Sequence, residues 1–219
     1  MQHASAKFSK PGAKESTRSA RNHAVRRLDL YLPYLVWVPV VAAEEVFVSM
    51  RAPLGAARVV ALLIAGYLVW GLFEYVVHRF VLHAREDGSS WLPGNRTHHD
   101  HHQQPNADAR LTVQLSESIP TAAVMFAIFL LASWDLCAAV HLHAGFMAGY
   151  LFYEYLDFQA HHGLARGAVI RYFRRYHLEH HYADFEAHYG VTSPLFDLLF
   201  GTFRVHRKRS GAVRPAVHN

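Results

Sequence analysis

The sequence predicts an all-α integral membrane protein, with four transmembrane helices in two hairpins and its histidine-rich segments gathered on one side. Three observations lead there. Four apolar runs, each near the roughly 20 residues that cross a hydrocarbon core, divide the 219-residue chain. Hydrophobic residues make up 52% and charged residues 18%, below the roughly 25% charged residues usual in soluble domains. Eighteen histidines outnumber the 17 acidic residues. Ordinary folding needs no such excess of imidazole, whereas metal binding does.

The elements follow in order. Residues 1–27 are polar and basic, with Lys7, Lys10, Lys14, Arg18, Arg21, Arg26 and Arg27, and are expected to form a disordered arm. Residues 28–204 form the membrane domain, and 205–219 a basic tail with Arg207, Lys208, Arg209 and Arg214. The first span, 30–50, contains Pro33 and Pro39 and is expected to be irregular. Its Glu44 and Glu45 should face protein or water, because carboxylates this deep are costly against lipid. The second span, 57–77, is charged only at Arg58 and Glu74. The third, 118–135, and the fourth, 138–157, meet in a tight connection at Asp135. A basic arm beside the first span favours a cytoplasmic start. Residues 84–117 and 163–219 are then cytoplasmic, with every dense histidine cluster on that side and His141 and His143 near the other. Cations flanking apolar runs fit a membrane better than a nucleic acid, so no nucleic-acid partner is expected.

Cys137 is the single cysteine, which excludes an internal disulfide or a thiolate metal site. Histidine and carboxylate remain as strong ligands, a set suited to iron, manganese, zinc or copper. His78 and His83 are five apart, off the helical repeat, so they cannot share one face of a straight helix but could bracket a metal pair at its end. His98, His101 and His102 have i, i+3, i+4 spacing, as do His177, His180 and His181, and each set falls on one helical face. Two HxxHH motifs in one short chain point to metal. Asp157 lies one turn before His161 on a face shared with Glu154, and is open to two roles: a direct ligand, or an acceptor orienting a histidine. Glu74, one turn before His78, either supports the cluster or is a polar residue at a span end. His3, His23, His206 and His218 are expected on the surface, His141, His143 and His188 at helix ends or on the surface, and His99 and His162 as neighbours of the clusters.

The pattern HxxxxH, HxxHH, a short acidic/histidine motif and a second HxxHH resembles the fatty acid hydroxylase/sterol desaturase superfamily over roughly residues 60–204. It is most similar to the fatty acid 2-hydroxylase branch. The marks are His78 to His83, His98 to Pro105 followed by Arg110 and Leu111, Tyr176 to Tyr182, Tyr189 to Ser193, Asp197, and Phe200 to Arg204. The resemblance implies a cytosolic helical cap over the four spans, holding two metal ions. Iron is the expected ion, with zinc also accommodated, and dioxygen is the co-substrate. The implied ligands are His78, His83, His98, His101, His102, His161, His177, His180 and His181. Where the family has a histidine four before His161, this chain has Asp157. The implied reaction is hydroxylation of a lipid acyl chain. No haem electron donor of the kind associated with the family is expected within residues 1–27, so a separate redox protein would supply electrons. Buried carboxylates such as Glu154 or Glu179 are expected to offset the charge of the metals. Sterol, carotenoid or ether-lipid substrates, a desaturating outcome, a metal transporter and a non-catalytic relative are the alternatives left open.

Overall fold

The computed structural model describes residues 13–85, 90–92, 94–103, 112–163 and 166–205, with side chains from residue 30 onward. The ends of the arm and tail lie outside this set, as do Pro105, Arg110, Leu111 and the side chains of His3, His23, His206 and His218. The described residues form helices and no strand. These are α1 (Ala13–Arg51), α2 (Ala56–Val77), α3 (Asn95–Gln103), α4 (Leu115–Ser133), α5 (Leu136–His161), α6 (Ala168–Tyr182) and α7 (Leu195–Phe200). The backbone of α1 is thus already helical within the stretch expected to be a disordered arm, in keeping with its Ala, Lys, Glu and Arg content.

Among the described residues, four segments are long and apolar enough to cross a membrane: Leu30–Arg51, Ala56–Leu82, Leu115–Ser133 and Leu136–His161. The first runs unbroken through Pro33 and Pro39, contrary to the expected irregularity. Proline is tolerated in transmembrane helices because neighbouring helices and local adjustments satisfy the freed backbone groups. α5 is the central span. It is buried over 67% of its apolar window, against 17–28% for the other three, which turn most of their surface outward.

α2 and α5 approach backbone to backbone. A Cβ added at Gly66 would stand 2.0 Å from the carbonyl oxygen of Leu142, and one at Gly145 would stand 2.1 Å from that of Leu63. Membrane helices gain affinity from such close approach because burial from lipid supplies no hydrophobic drive. Beside this seam, Trp70, Phe146, Met147 and Tyr150 of α2 and α5 pack with Met125 and Phe129 of α4 and Trp37 of α1.

The other end of the bundle carries the carboxylates of the first span. Glu45 meets His141 Nδ1 at 2.9 Å, and Glu44 meets His143 Nδ1 at 2.9 Å. The two glutamates therefore face protein. His141 and His143 lie near the start of α5, as expected of helix-end residues, but are buried inside the bundle rather than on the surface, because they partner acids that lipid cannot solvate. Asp135 caps α5 by accepting from the N–H groups of Cys137 and Ala138, and pairs with Arg58 at 3.2 Å.

Candidate metal centre

At the opposite end, α2 does not stop at Val77. It widens into a π-helical turn over His78–Leu82, closed by the His83 N–H bonding to the His78 carbonyl at 3.1 Å. The i→i+5 bond absorbs the spacing that a straight α-helix cannot, and the two imidazoles converge with ring centroids 5.1 Å apart. Such π-bulges concentrate at functional sites. α3 is tethered beneath this turn by buried Asn95, whose amide donates to the Leu82 carbonyl at 2.6 Å and whose oxygen accepts from the Ser90 N–H.

Two cages result, and each could hold a metal ion. His78, His83, His98, His102 and His180 form the first, with ligand atoms all within 4.8 Å of one another. His101, His161, His177 and His181 form the second by the same measure. Asp157 joins the second: its Oδ1 lies 2.9 Å from His177 Nε2, 3.6 Å from His161 Nε2 and 3.8 Å from His101 Nε2. All ten residues singled out from the sequence are therefore brought together. The HxxHH motifs do not each serve one centre, however. α3 sends His98 and His102 to the first cage and His101 to the second. α6 sends His177 and His181 to the second and His180 to the first. The rings of His102 and His181 stack at 4.0 Å where the cages adjoin.

The geometry fits metal ions. Ligands on one ion at about 2.1 Å stand roughly 3.0–3.4 Å apart. The Nε2 separations in the first cage are 3.0 Å for His78–His98, 3.1 Å for His98–His83, 2.9 Å for His98–His102 and 3.1 Å for His83–His180. In the second, His161 and His177 stand at 3.0 Å. Buried Nε2 atoms of His101 and His181 have no hydrogen-bond partner among the described residues, which an ion would provide. Burial, then neighbouring imidazoles, holds His98 and His180 well below the ordinary histidine range and brings His83 to about 3. His101, His102 and His181 are lowered by the same causes. These rings are neutral at physiological pH, the form that binds a metal.

Backbone carbonyls set the tautomers. His78 Nδ1 faces the Tyr189 carbonyl at 2.5 Å and His180 Nδ1 faces that of Ala187 at 2.7 Å, leaving each Nε2 lone pair turned into the cage. Two buried carboxylates fix the loop that supplies these carbonyls. Glu74 accepts from the N–H groups of Val191 and Thr192 and from the Thr192 hydroxyl. Asp197 accepts from the N–H groups of Tyr189 and Gly190 and from the hydroxyls of Tyr176 and Thr202. The loop packs tightly enough that a Cβ on Gly190 would stand 2.2 Å from the Ser193 carbonyl.

Glu74 is thus a support for the centre. The supporting roles of Asp197, Thr192 and the Tyr189 carbonyl are not legible in spacing, although their residues lie within the marks quoted above. His188 is buried against Tyr176 and Phe203 at φ 59°, not on the surface. Its N–H closes the loop onto the Thr202 carbonyl. Glu154 is buried and accepts from the Val113 N–H, and Glu179 binds Arg175 at 2.8 Å. His162 is exposed, and His99 stands outside both cages.

A cavity of about 270 Å³ runs from the first cage down between α2, α4 and α5. His78 and Leu82 line its upper end, and Trp70, Phe146 and Met147 its deeper part. Trp70 precedes His78 by two helical turns, about 12 Å along the axis. A second recess of about 80 Å³ shares Leu82, Val113, Glu117 and Tyr153 with it and reaches His98, His101 and Asp157.

The fold and site define a class of multi-pass membrane protein: a helical bundle capped by paired histidine cages that could hold metal ions. The fatty acid hydroxylase family model matches residues 63–202, and the chain belongs to that family. A dihydroceramide fatty acyl 2-hydroxylase of Arabidopsis thaliana is 32% identical over 182 residues, spanning 77% of this chain and 70% of its own length. A ceramide very long chain fatty acid hydroxylase of Schizosaccharomyces pombe is 32% identical, spanning 78% of this chain and 50% of its own. Among solved structures, full-length scs7p, in which only the hydroxylase domain is visible, aligns with a TM-score of 0.69 and 29% identity. It covers 80% of this chain and 67% of that one.

Proposed function

We propose that the protein is a membrane hydroxylase that uses two metal ions, dioxygen and external electrons to hydroxylate a lipid acyl chain, at the carbon next to the acyl carbonyl. The observation that carries this reading is the apolar cavity ending at His78 of the first cage, with the second cage adjoining the first. The family, and relatives named as fatty acyl 2-hydroxylases, support the acyl substrate and the position. His78, His83, His98, His102 and His180 would hold one ion, and Asp157, His101, His161, His177 and His181 the other. Iron suits this imidazole-rich set with one carboxylate, and zinc would occupy the same geometry. The two ions would supply the activation of dioxygen and the oxidation of the C–H bond.

The chain's own residues do the rest. The wall of Trp70, Phe146 and Met147 receives the acyl chain from the bilayer and keeps water from it. The cages at the upper end limit which carbons come within reach. The Tyr189 and Ala187 carbonyls hold His78 and His180 with Nε2 aimed inward, so that metal binding requires no ring flip. The basic N-terminal arm supports a cytoplasmic location for the cages, where a separate redox protein would deliver electrons.

Lipid mass spectrometry tests the reading. The wild type and a His180→Ala/His181→Ala double variant, which removes one imidazole from each cage, are expressed with a competent reductase in a host lacking hydroxylated acyl chains. Hydroxy fatty acids are expected with the wild type alone. Oxidised sterols or carotenoids in their place would reassign the substrate, and no wild-type product with metal bound would contradict the reading.

A further inference from the structure

The two cages follow one plan with one difference. Each takes a pair from the end of a long span, a pair from a short cap helix and a single histidine from the other cap helix. In the first cage those are His78 and His83, His98 and His102, and His180. In the second they are Asp157 and His161, His177 and His181, and His101. The pair from the span is two imidazoles in one case, and an imidazole and a carboxylate in the other.

We propose that Asp157 makes the two metal sites unequal, so that the second cage binds a divalent ion more tightly and fills first. This rests on the two-metal reading above. Imidazoles are neutral ligands and add no charge to a dication, whereas a carboxylate does, and ligand charge count is a main determinant of affinity at sites of otherwise similar build. Other buried carboxylates nearby do not restore the balance. Glu74 is engaged by Val191 and Thr192, Asp197 by Tyr189, Gly190, Tyr176 and Thr202, and Glu154 by Val113. Asp157 alone among these has an oxygen within 4 Å of cage nitrogens. Metal binding replaces its contact with His177 at 2.9 Å. Direct attraction between a dication and a carboxylate exceeds what a single carboxylate–imidazole contact offers.

The test titrates the full-length metal-free protein in detergent micelles with Co²⁺, followed by calorimetry and by the visible absorption of the bound ion. The wild type should bind two ions in phases separated by roughly tenfold or more in Kd. Asp157→His, which equalises the cages, should still bind two ions but bring the phases within about threefold. Asp157→Glu, which keeps the charge, should keep the separation. Two wild-type ions of equal affinity would overturn the proposal. So would a separation that survives in Asp157→His or is lost in Asp157→Glu. A wild type that binds no cobalt would instead remove the metal reading beneath it.

Discussion

His83 shows at the level of one side chain how the fold keeps a cage imidazole free of its proton. Burial and the neighbouring His78 and His99 hold its pKa near 3, against about 6.5 in an unfolded chain. The metal-free native state therefore binds fewer protons than the unfolded state once the pH falls below about 6.5, and stability is lost from there downward toward the folded value. His98 and His180 act in the same direction. The Tm of metal-free protein in detergent should be flat from pH 8 to 7 and fall on acidification toward pH 5. A Tm that rises over that range would contradict the burial argument. The supporting carboxylates make a second prediction. Glu74→Gln keeps the shape but leaves one accepting oxygen for three donors: with it on the N–H groups of Val191 and Thr192, the amide NH2 faces the Thr192 hydroxyl in place of an acceptor. A loss of about 1–3 kcal/mol in stability is expected, with weaker metal retention because the Tyr189 carbonyl shifts on His78. Thermal melts and metal analysis of the purified variant read both effects.

At the scale of elements, helical period decides which cage a histidine enters. Residues four apart on α3 and α6 point into one cage, and the residue three along points into its neighbour. The π turn does for His78 and His83 what the α-helix does for the i, i+4 pairs. Inserting one Ala after Phe80 would put His78 and His83 six apart, one residue more than the i→i+5 bond absorbs, and rotate His83 away from the first cage. The expected result is a folded protein retaining about one metal ion per chain, against two for the wild type, by metal analysis. Full retention would show that the spacing set by the π turn is dispensable. The α2–α5 seam gives another test. Gly145→Val forces atoms into the Leu63 carbonyl, and overpacking should cost about 1–3 kcal/mol or more, seen as a lower Tm. Much of this organisation is legible in the sequence. The four apolar runs mark the spans to within a few residues, because membrane thickness fixes their length. The HxxHH spacing exposes the ligand candidates, because metals gather imidazoles that no core needs. Hidden from spacing are the split of each motif between two cages, the π turn, and the burial of His141, His143 and His188. Each depends on a partner distant in sequence: Glu45, Glu44 and the loop around Thr202 for the three histidines.

Across the whole molecule, polarity is divided between the ends of the bundle. One end holds the two cages, and the other holds the Glu44–His143 and Glu45–His141 pairs and the Arg58–Asp135 contact. Between them lies apolar packing around α5 and the cavity against α2 and α4. In the proposed function, that arrangement would let a lipid chain lie in the bundle with its polar end toward the cages. Met147→Trp, which fills the deeper part of the cavity, should shift the product profile toward shorter acyl chains while metal content stays at the wild-type level. In the proposed reaction, oxygen from dioxygen enters an acyl chain at the carbon beside its carbonyl. The most direct measurement is isotopic: membranes containing the wild type are supplied with reductant under ¹⁸O₂, and the released fatty acids are analysed by fragmentation. One ¹⁸O atom is expected in a hydroxyl at the 2-position, absent from the His180→Ala/His181→Ala variant. A 2-hydroxyl carrying oxygen from water, or a product formed equally by the variant, would contradict it.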